Sequence, residues 1–257
     1  MHCSPRQTLP LSGVPSMILW NILVQEAREQ ARREPGMATF LQAALLGWQC
    51  FADALSHRLA SKLLGEVDAA TLTHWFEVAY RDAPVLLQAA EADLIAAYDR
   101  DPACRFYFSP LLFYKGYHAL QTQRLAHFLW QRGDISAALY LQHMVSERFA
   151  VDIHPAVAIG PGVFLDHATG FVAGETAVIE SDVSLLHGVT LGGIGNEIGD
   201  RHPKIRQGAF IGAGAMVLGN VEVGQRATVG AGSVVLKSVS HGATVVGVPA
   251  QPVRKAL

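Results

Sequence analysis

Two short stretches carry an acid–base set. Asp152 and His154 lie in Val151-Asp152-Ile153-His154-Pro155, and Asp166 and His167 lie in Leu165-Asp166-His167-Ala168-Thr169-Gly170. A hydroxyl is a weak nucleophile until a base of near-neutral pKa takes its proton, and imidazole suits that task. A carboxylate on the other ring nitrogen fixes the tautomer and stabilises the imidazolium. Asp152 can do this for His167, which stands fifteen residues later. A second concentration of charge is Asp200-Arg201-His202-Pro203-Lys204. The residue types of the first set point to deprotonation of a hydroxyl.

The elements that must position these residues show a period of six. Apolar residues recur at Ile153, Ile159, Leu165, Phe171, Ala177, Val183 and Val189, and again at Ile205, Ile211, Val217, Val223, Val229 and Val235. Small residues often stand four places on, as at Ala209, Ala215, Ala227 and Ser233. Six residues rotate a helix off its own face, so no helix can use this period. Thirteen such repeats fit a parallel β-helix in which each hexapeptide forms one side of a triangular coil. The apolar residue points into the prism, and Asp166 and His167, just past an inward rung, stand near a corner. One coil is eighteen residues, so Asp152 and His167 come close without contact being guaranteed. Ala177 is the weakest rung. The two runs are out of phase across 194–204, which predicts an extruded loop there, and long loops in compact domains are usually functional or disordered.

Residues 17–150 read as helical. Their richness in Ala and Leu supports this, and six helices are expected, at 17–33, 38–63, 69–81, 84–98, 110–132 and 135–149. Ser109 and Pro110 suit a helix start, Gly133 suits an end, and Asp134 can cap the next helix. The expected organisation is a loose leader over 1–16, a helical assembly domain over 17–150, and a β-helix over 151–257 that extrudes 194–204. With half its residues apolar and a net charge of −2, the chain has no bulk attraction to nucleic acid or an anionic membrane. No apolar run reaches the roughly 18 residues of a membrane span. Cys3, Cys50 and Cys104 are scattered and odd in number, which suggests neither a zinc site nor a disulfide framework. A reducing cytoplasm is expected, and Pro5, Pro10 and Pro15 argue against a signal peptide.

Taken together, Asp152-Ile-His-Pro, Leu165-Asp-His-Ala-Thr-Gly170, Gly174-Glu-Thr-Ala-Val-Ile-Glu180, Val189-Thr-Leu-Gly-Gly193 and Gly199-Asp-Arg-His-Pro-Lys-Ile205 resemble the motif series of serine O-acetyltransferases. Arg100-Asp-Pro102 and Pro110-Leu-Leu-Phe-Tyr-Lys-Gly-Tyr-His-Ala-Leu-Gln121 resemble the same family. The resemblance spans about residues 17 to 254 and implies a left-handed coil. It implies transfer of acetyl from acetyl-coenzyme A to the hydroxyl of L-serine, giving O-acetyl-L-serine, the first step from serine to cysteine. Its implied roles are His167 as general base with Asp152 as orienting partner, Asp101 and Asp166 for the serine ammonium, Arg201 for the serine carboxylate, and His202 beside the substrate. Coenzyme A would lie along the coils against the backbone near Ala213 and Ala231, although both also suit plain corner fillers. No metal is implied. Ile194 and Asn196 depart from the Thr and Lys that relatives often carry, which would alter coenzyme A affinity.

The family further implies inhibition by L-cysteine and an assembly of trimers paired into a hexamer, with sites between neighbouring β-helices. Many relatives end in an Ile-terminated tail that enters O-acetylserine sulfhydrylase. Here the end is Arg254-Lys-Ala-Leu257, and a stable complex is not expected. The main alternative is a hexapeptide acetyltransferase acting on a sugar or another alcohol, which would not need Asp101 with Arg201 to grip a zwitterion. A zinc enzyme with three histidine ligands and a non-catalytic scaffold are further rivals. The sequence suggests structural or solvent-facing roles for His154 and His187, places His118 and His127 in a helix with packing as the role of His118, treats Lys237, Arg254 and Lys255 as solvated cations, and assigns nothing to Glu175.

Overall fold

A computed structural model describes residues 16–195 and 198–253. Most of the expected leader, Asn196, and the end from Arg254 to Leu257 lie outside the described residues.

Among the described residues, eight α-helices precede the strands: α1 (Ser16–Arg33), α2 (Pro35–Leu41), α3 (Phe51–Lys62), α4 (Ala69–Asp82), α5 (Val85–Arg100), α6 (Phe108–Phe113), α7 (Lys115–Arg132) and α8 (Ile135–Phe149). Two expected helices are each broken. The helix expected over 38–63 widens into a π-turn segment, Gln42–Leu46, where the Gly47 N–H reaches back to the Gln42 carbonyl, before α3 starts anew. The helix expected over 110–132 is interrupted at Tyr114, whose backbone is extended. Ser109 therefore caps nothing; it is buried inside α6. Gly133 ends α7 in the left-handed conformation, as expected. Asp134 occupies the start of α8 without a capping hydrogen bond from its side chain.

From Val151 the chain winds as a parallel β-solenoid whose strands stack into three sheets. The five-stranded sheet holds β1 (Val151–Ile153), β4 (Phe171–Ala173), β7 (Thr190–Gly192), β10 (Met216–Leu218) and β13 (Val234–Val235). The four-stranded sheet holds β2 (Ala158–Ile159), β5 (Val178–Ile179), β8 (Lys204–Ile205) and β11 (Glu222–Val223). The six-stranded sheet holds β3 (Phe164–Leu165), β6 (Ser184–Leu185), β9 (Phe210–Ile211), β12 (Thr228–Val229), β14 (Thr244–Val246) and β15 (Gln251–Pro252). Among the described residues, only the β14–β15 pair is antiparallel.

The rungs from Ile205 to Val235 stand where the period puts them, each inward and buried. The earlier run needs a correction. Val151 pairs with Phe171, twenty residues on, whereas Val172 pairs with Thr190, eighteen on. Two extra residues at the corner after β3 shift the frame, so the strand rungs become Ala173, Ile179, Leu185 and Leu191. Ala177, Val183 and Val189 instead fill the inward corner position four places later, which explains why Ala177 looks like a weak rung. The second frame shift is the extruded segment: Leu191 pairs with Val217, twenty-six residues on, eight more than a regular coil.

Helix α7 joins the two parts through buried polar contacts. Asp93, on α5, accepts from Arg124 Nε and Nη2 at 3.0 and 2.8 Å, from Gln121, and from the Val163 N–H at 2.8 Å. Arg124 also donates to the carbonyls of Ile159 and Gly160, and Gln123 to that of Val157. The first coil's corner carbonyls are thus satisfied from α7, as buried carbonyls must be. Among the described residues, no helix is long and apolar enough to cross a membrane.

Candidate active site

The chemistry-bearing side chains gather at two different corners of the prism. The first corner joins the six-stranded sheet to the five-stranded sheet. Here the two extra residues put His167 and Ala168 at φ 56° and 65°, a left-handed backbone that costs non-glycine residues about 1–3 kcal/mol each. Ala168 turns inward and is fully buried, while the His167 side chain is 71% exposed. Its Nε2 lies 3.6 Å from Asp166 Oδ2, and its ring centroid is 5.7 Å from that of His187, one coil below. Burial raises the Asp166 pKa, His167 opposes that rise, and the neighbouring Asp101 carboxylate adds to it. Asp101 terminates α5, with Oδ1 on the Ala103 N–H at 2.7 Å and Oδ2 on the Tyr114 hydroxyl at 2.6 Å.

The second corner joins the five-stranded sheet to the four-stranded one. Arg201 Nη2 donates to Glu175 Oε2 at 2.9 Å and Nη1 to the Gly199 carbonyl at 3.0 Å. That ion pair holds the Glu175 carboxyl below its ordinary value. Thr176 Oγ1 accepts from the backbone N–H groups of both Arg201 and His202. Lys204 donates to the Thr176 carbonyl and pairs with Asp200. The last part of the extruded segment is therefore fastened to this corner rather than loose. The His202 ring lies flat against Gly174, where a Cβ would stand 2.0 Å from Nε2. Burial, then the Arg201 and Lys204 cations, lower its pKa.

A family model described as serine acetyltransferase, N-terminal, matches residues 19–122, and one for bacterial transferase hexapeptide repeats matches 202–237. The serine acetyltransferase of Escherichia coli K12 is 52% identical over 239 residues, 93% of this chain and 88% of that one. The chain belongs to the serine acetyltransferase family. Like the family's members, this serine acetyltransferase is an acyltransferase that uses acetyl-coenzyme A to acetylate the hydroxyl of serine; the sugar-directed alternative is not favoured. A serine acetyltransferase structure in complex with cysteine superposes with TM-score 0.91 at 49% identity, covering 93% of this chain and 100% of that one. One from Brucella abortus strain S19 in complex with coenzyme A gives TM-score 0.90 at 48% identity, covering 95% and 98%.

The expected residues fall into two groups in this serine acetyltransferase. Asp101, Asp166 and His167 are together at the first corner, and Arg201 and His202 at the second. Asp152 is with neither group. It sits on β1 beside Val172 of β4, and its Oδ1 accepts from Gln142 at 2.7 Å. No hydrogen bond joins it to His167 among the described residues. His167 stands on the corner just past β3, whereas Asp152 stands on β1 within the five-stranded sheet. Ala213 and Ala231 stack on the same edge as His167 and His187, further down the solenoid. Among the described residues, neither of their backbone N–H groups has a protein acceptor. Four site residues are not apparent from residue type and spacing: Tyr114, Glu175, Thr176 and the His187 that faces His167. Glu175 and Thr176 stand inside the Gly174–Glu180 motif, and only their contacts reveal what they do. No group of three or more His, Cys, Asp or Glu among the described residues is arranged to hold a metal ion.

Proposed function

We propose that each acetyl transfer takes place between two chains, with the first corner of one facing the second corner of its neighbour. The observation that carries this reading is the separation of the two groups. The base and the acidic pair occupy one edge of the five-stranded sheet, and the anion grip occupies the other. A single serine cannot touch both edges of one prism. The sheet between them presents exposed Val172 and Met216 on its outer face, with Thr190 between them, a face suited to a threefold contact between copies. The helical part then pairs trimers into a hexamer.

In this site His167 takes the proton of the serine hydroxyl. The hydroxyl oxygen adds to the thioester carbonyl, the tetrahedral oxyanion collapses, and the coenzyme A thiolate leaves with the proton held on His167. Asp101 and Asp166 receive the ammonium, and Arg201, with His202 beside it, receives the carboxylate. Asp152 is the proposed orienting partner of His167, released from Gln142 when substrates bind; catalytic hydrogen bonds commonly tighten only in the complex. The unpartnered amides of Ala213 and Ala231 are donors for the pantetheine arm. L-Cysteine, which has the same ammonium and carboxylate as serine, competes for the same grip, in keeping with the cysteine complex of a relative.

The test is complementation. His167→Ala and Arg201→Ala are each expected to lose activity by orders of magnitude. Chains of the two variants, dissociated together and reassembled, regain about a quarter of wild-type activity if every site draws on two copies. If the mixture stays as inactive as its parents while a tag on one variant co-purifies the other, the shared-site reading falls.

A further inference from the structure

The break between α6 and α7 brings a residue to the first corner that the reaction above does not use. Tyr114 alone separates the two helices, at φ −87° and ψ 109°. Its three-residue neighbourhood is pinned to the corner: the Lys115 ammonium bonds the Thr169 hydroxyl, and Gly116 packs so closely that a Cβ there would stand 2.0 Å from the Leu165 carbonyl oxygen. The result is a phenol aimed at Asp101. Its O–H donates to Oδ2 at 2.6 Å while the Ala103 N–H holds Oδ1 at 2.7 Å. With both oxygens held, the carboxylate has lost its freedom to rotate. Burial, followed by the contact with Asp101, keeps the phenol protonated throughout any working pH range. The buried Cys104 thiol is a second hydrogen-bond partner of the phenol.

We propose that Tyr114 is a positioning residue for the acceptor's ammonium group, holding the Asp101 carboxylate opposite Asp166 and thereby setting the preference for an amino-bearing alcohol. Two carboxylates side by side repel one another unless a cation lies between them. An ammonium fits that place; a neutral or anionic group does not. If Asp101 swung away, the pair would relax and the selectivity would go with it. The inference rests on the reading that Asp101 and Asp166 take the ammonium.

The experiment compares L-serine with 3-hydroxypropanoate, which keeps the hydroxyl and carboxylate and lacks the amino group. Steady-state constants for L-serine and acetyl-coenzyme A, and the inhibition constant of 3-hydroxypropanoate against L-serine, are measured for wild type, Tyr114→Phe, Tyr114→His and Asp101→Asn. Tyr114→Phe removes one oxygen and is expected to raise the serine KM about tenfold, the scale of one charge-assisted hydrogen bond. The expected kcat, acetyl-coenzyme A KM and 3-hydroxypropanoate constant stay within about twofold, a change too small to register as a lost interaction. Tyr114→His, which keeps a donor, recovers part of the serine affinity. A merely structural tyrosine would weaken both ligands alike or lower the melting midpoint with selectivity intact, and either result overturns the proposal. If Asp101→Asn leaves the ratio of the two ligands unchanged, the ammonium reading itself fails. If only Tyr114→Phe leaves it unchanged, the positioning role fails alone.

Discussion

The side-chain oxygen of Thr176 lies 2.8 Å from Nδ1 of His202. The N–H groups of Arg201 and His202 point at that oxygen, and the Thr176 N–H donates to the same Nδ1 from 3.2 Å. Nδ1 is therefore an acceptor, and the neutral ring carries its proton on Nε2, available as a donor to substrate. The lowered pKa of His202 agrees with a neutral ring. Thr176→Val, which removes the oxygen but keeps the shape, is expected to reduce kcat/KM for serine by about ten- to a hundredfold, the scale of losing a hydrogen bond and stranding its partners. Thr176→Ser keeps the oxygen and should stay near wild type. Equal activity of the Val and Ser variants would sink this account.

Gly174 leaves room for the His202 ring and for nothing else. An alanine Cβ would overlap Nε2, so Gly174→Ala must expel the imidazole. The expected loss of activity matches that of His202→Ala, and the double variant is no worse than either single one. A double-mutant cycle measures this directly. Additive losses would show that Gly174 serves something other than the ring.

The Asp93–Arg124 pair holds the helices against the first coil, with side chains 0% and 7% exposed. Asp93→Ala strands a buried guanidinium and is expected to cost about 3–5 kcal/mol in chemical denaturation, whereas replacing both partners by apolar residues of similar volume costs much less. The opposite ranking would show that the pair contributes little to docking the helices.

Buried His118 and half-buried Glu26 tilt stability with pH in opposite senses. Burial pushes His118 down to about 4 from 6.5, with its Nε2–H on the Leu111 carbonyl. The unfolded chain takes up that proton first, so this contribution is full above pH 6.5 and is lost as the pH falls toward 4. Burial raises Glu26 to about 7 from 4.5, and the Phe108 N–H partly offsets it. Its folded form keeps the proton, so this contribution is full below pH 4.5 and is lost as the pH rises through 7. Glu26→Gln should therefore be more stable than wild type at pH 8, by about 1–3 kcal/mol, with the gap closing by pH 4.5. Urea midpoints across that range decide it; a constant gap would mean that ionisation is not the cause.

How much is legible in the chain alone differs between elements for a physical reason. The inward rungs from Ile205 to Val235 are legible because each hexapeptide buries its own apolar residue, a demand written locally every six residues. His167, Asp166, Arg201 and His202 stand out because their chemistry is rare and concentrated. The sequence by itself therefore determined a helical part, a triangular solenoid with a loop pushed out of it, and the residue types of the site. Tertiary structure decided the rest. The frame shift after Leu165 arises from two residues that turn left-handed so that Ala168 goes in and His167 goes out. The helix break at Tyr114 arises from Gly116 against Leu165 and the phenol against Asp101. The placement of Asp152 with Gln142 comes from α8 meeting β1, and the division of the site over two prism edges comes from the sheets that each corner joins. These features depend on residues distant in the chain coming within van der Waals or hydrogen-bond range, and local composition and periodicity do not encode such distances.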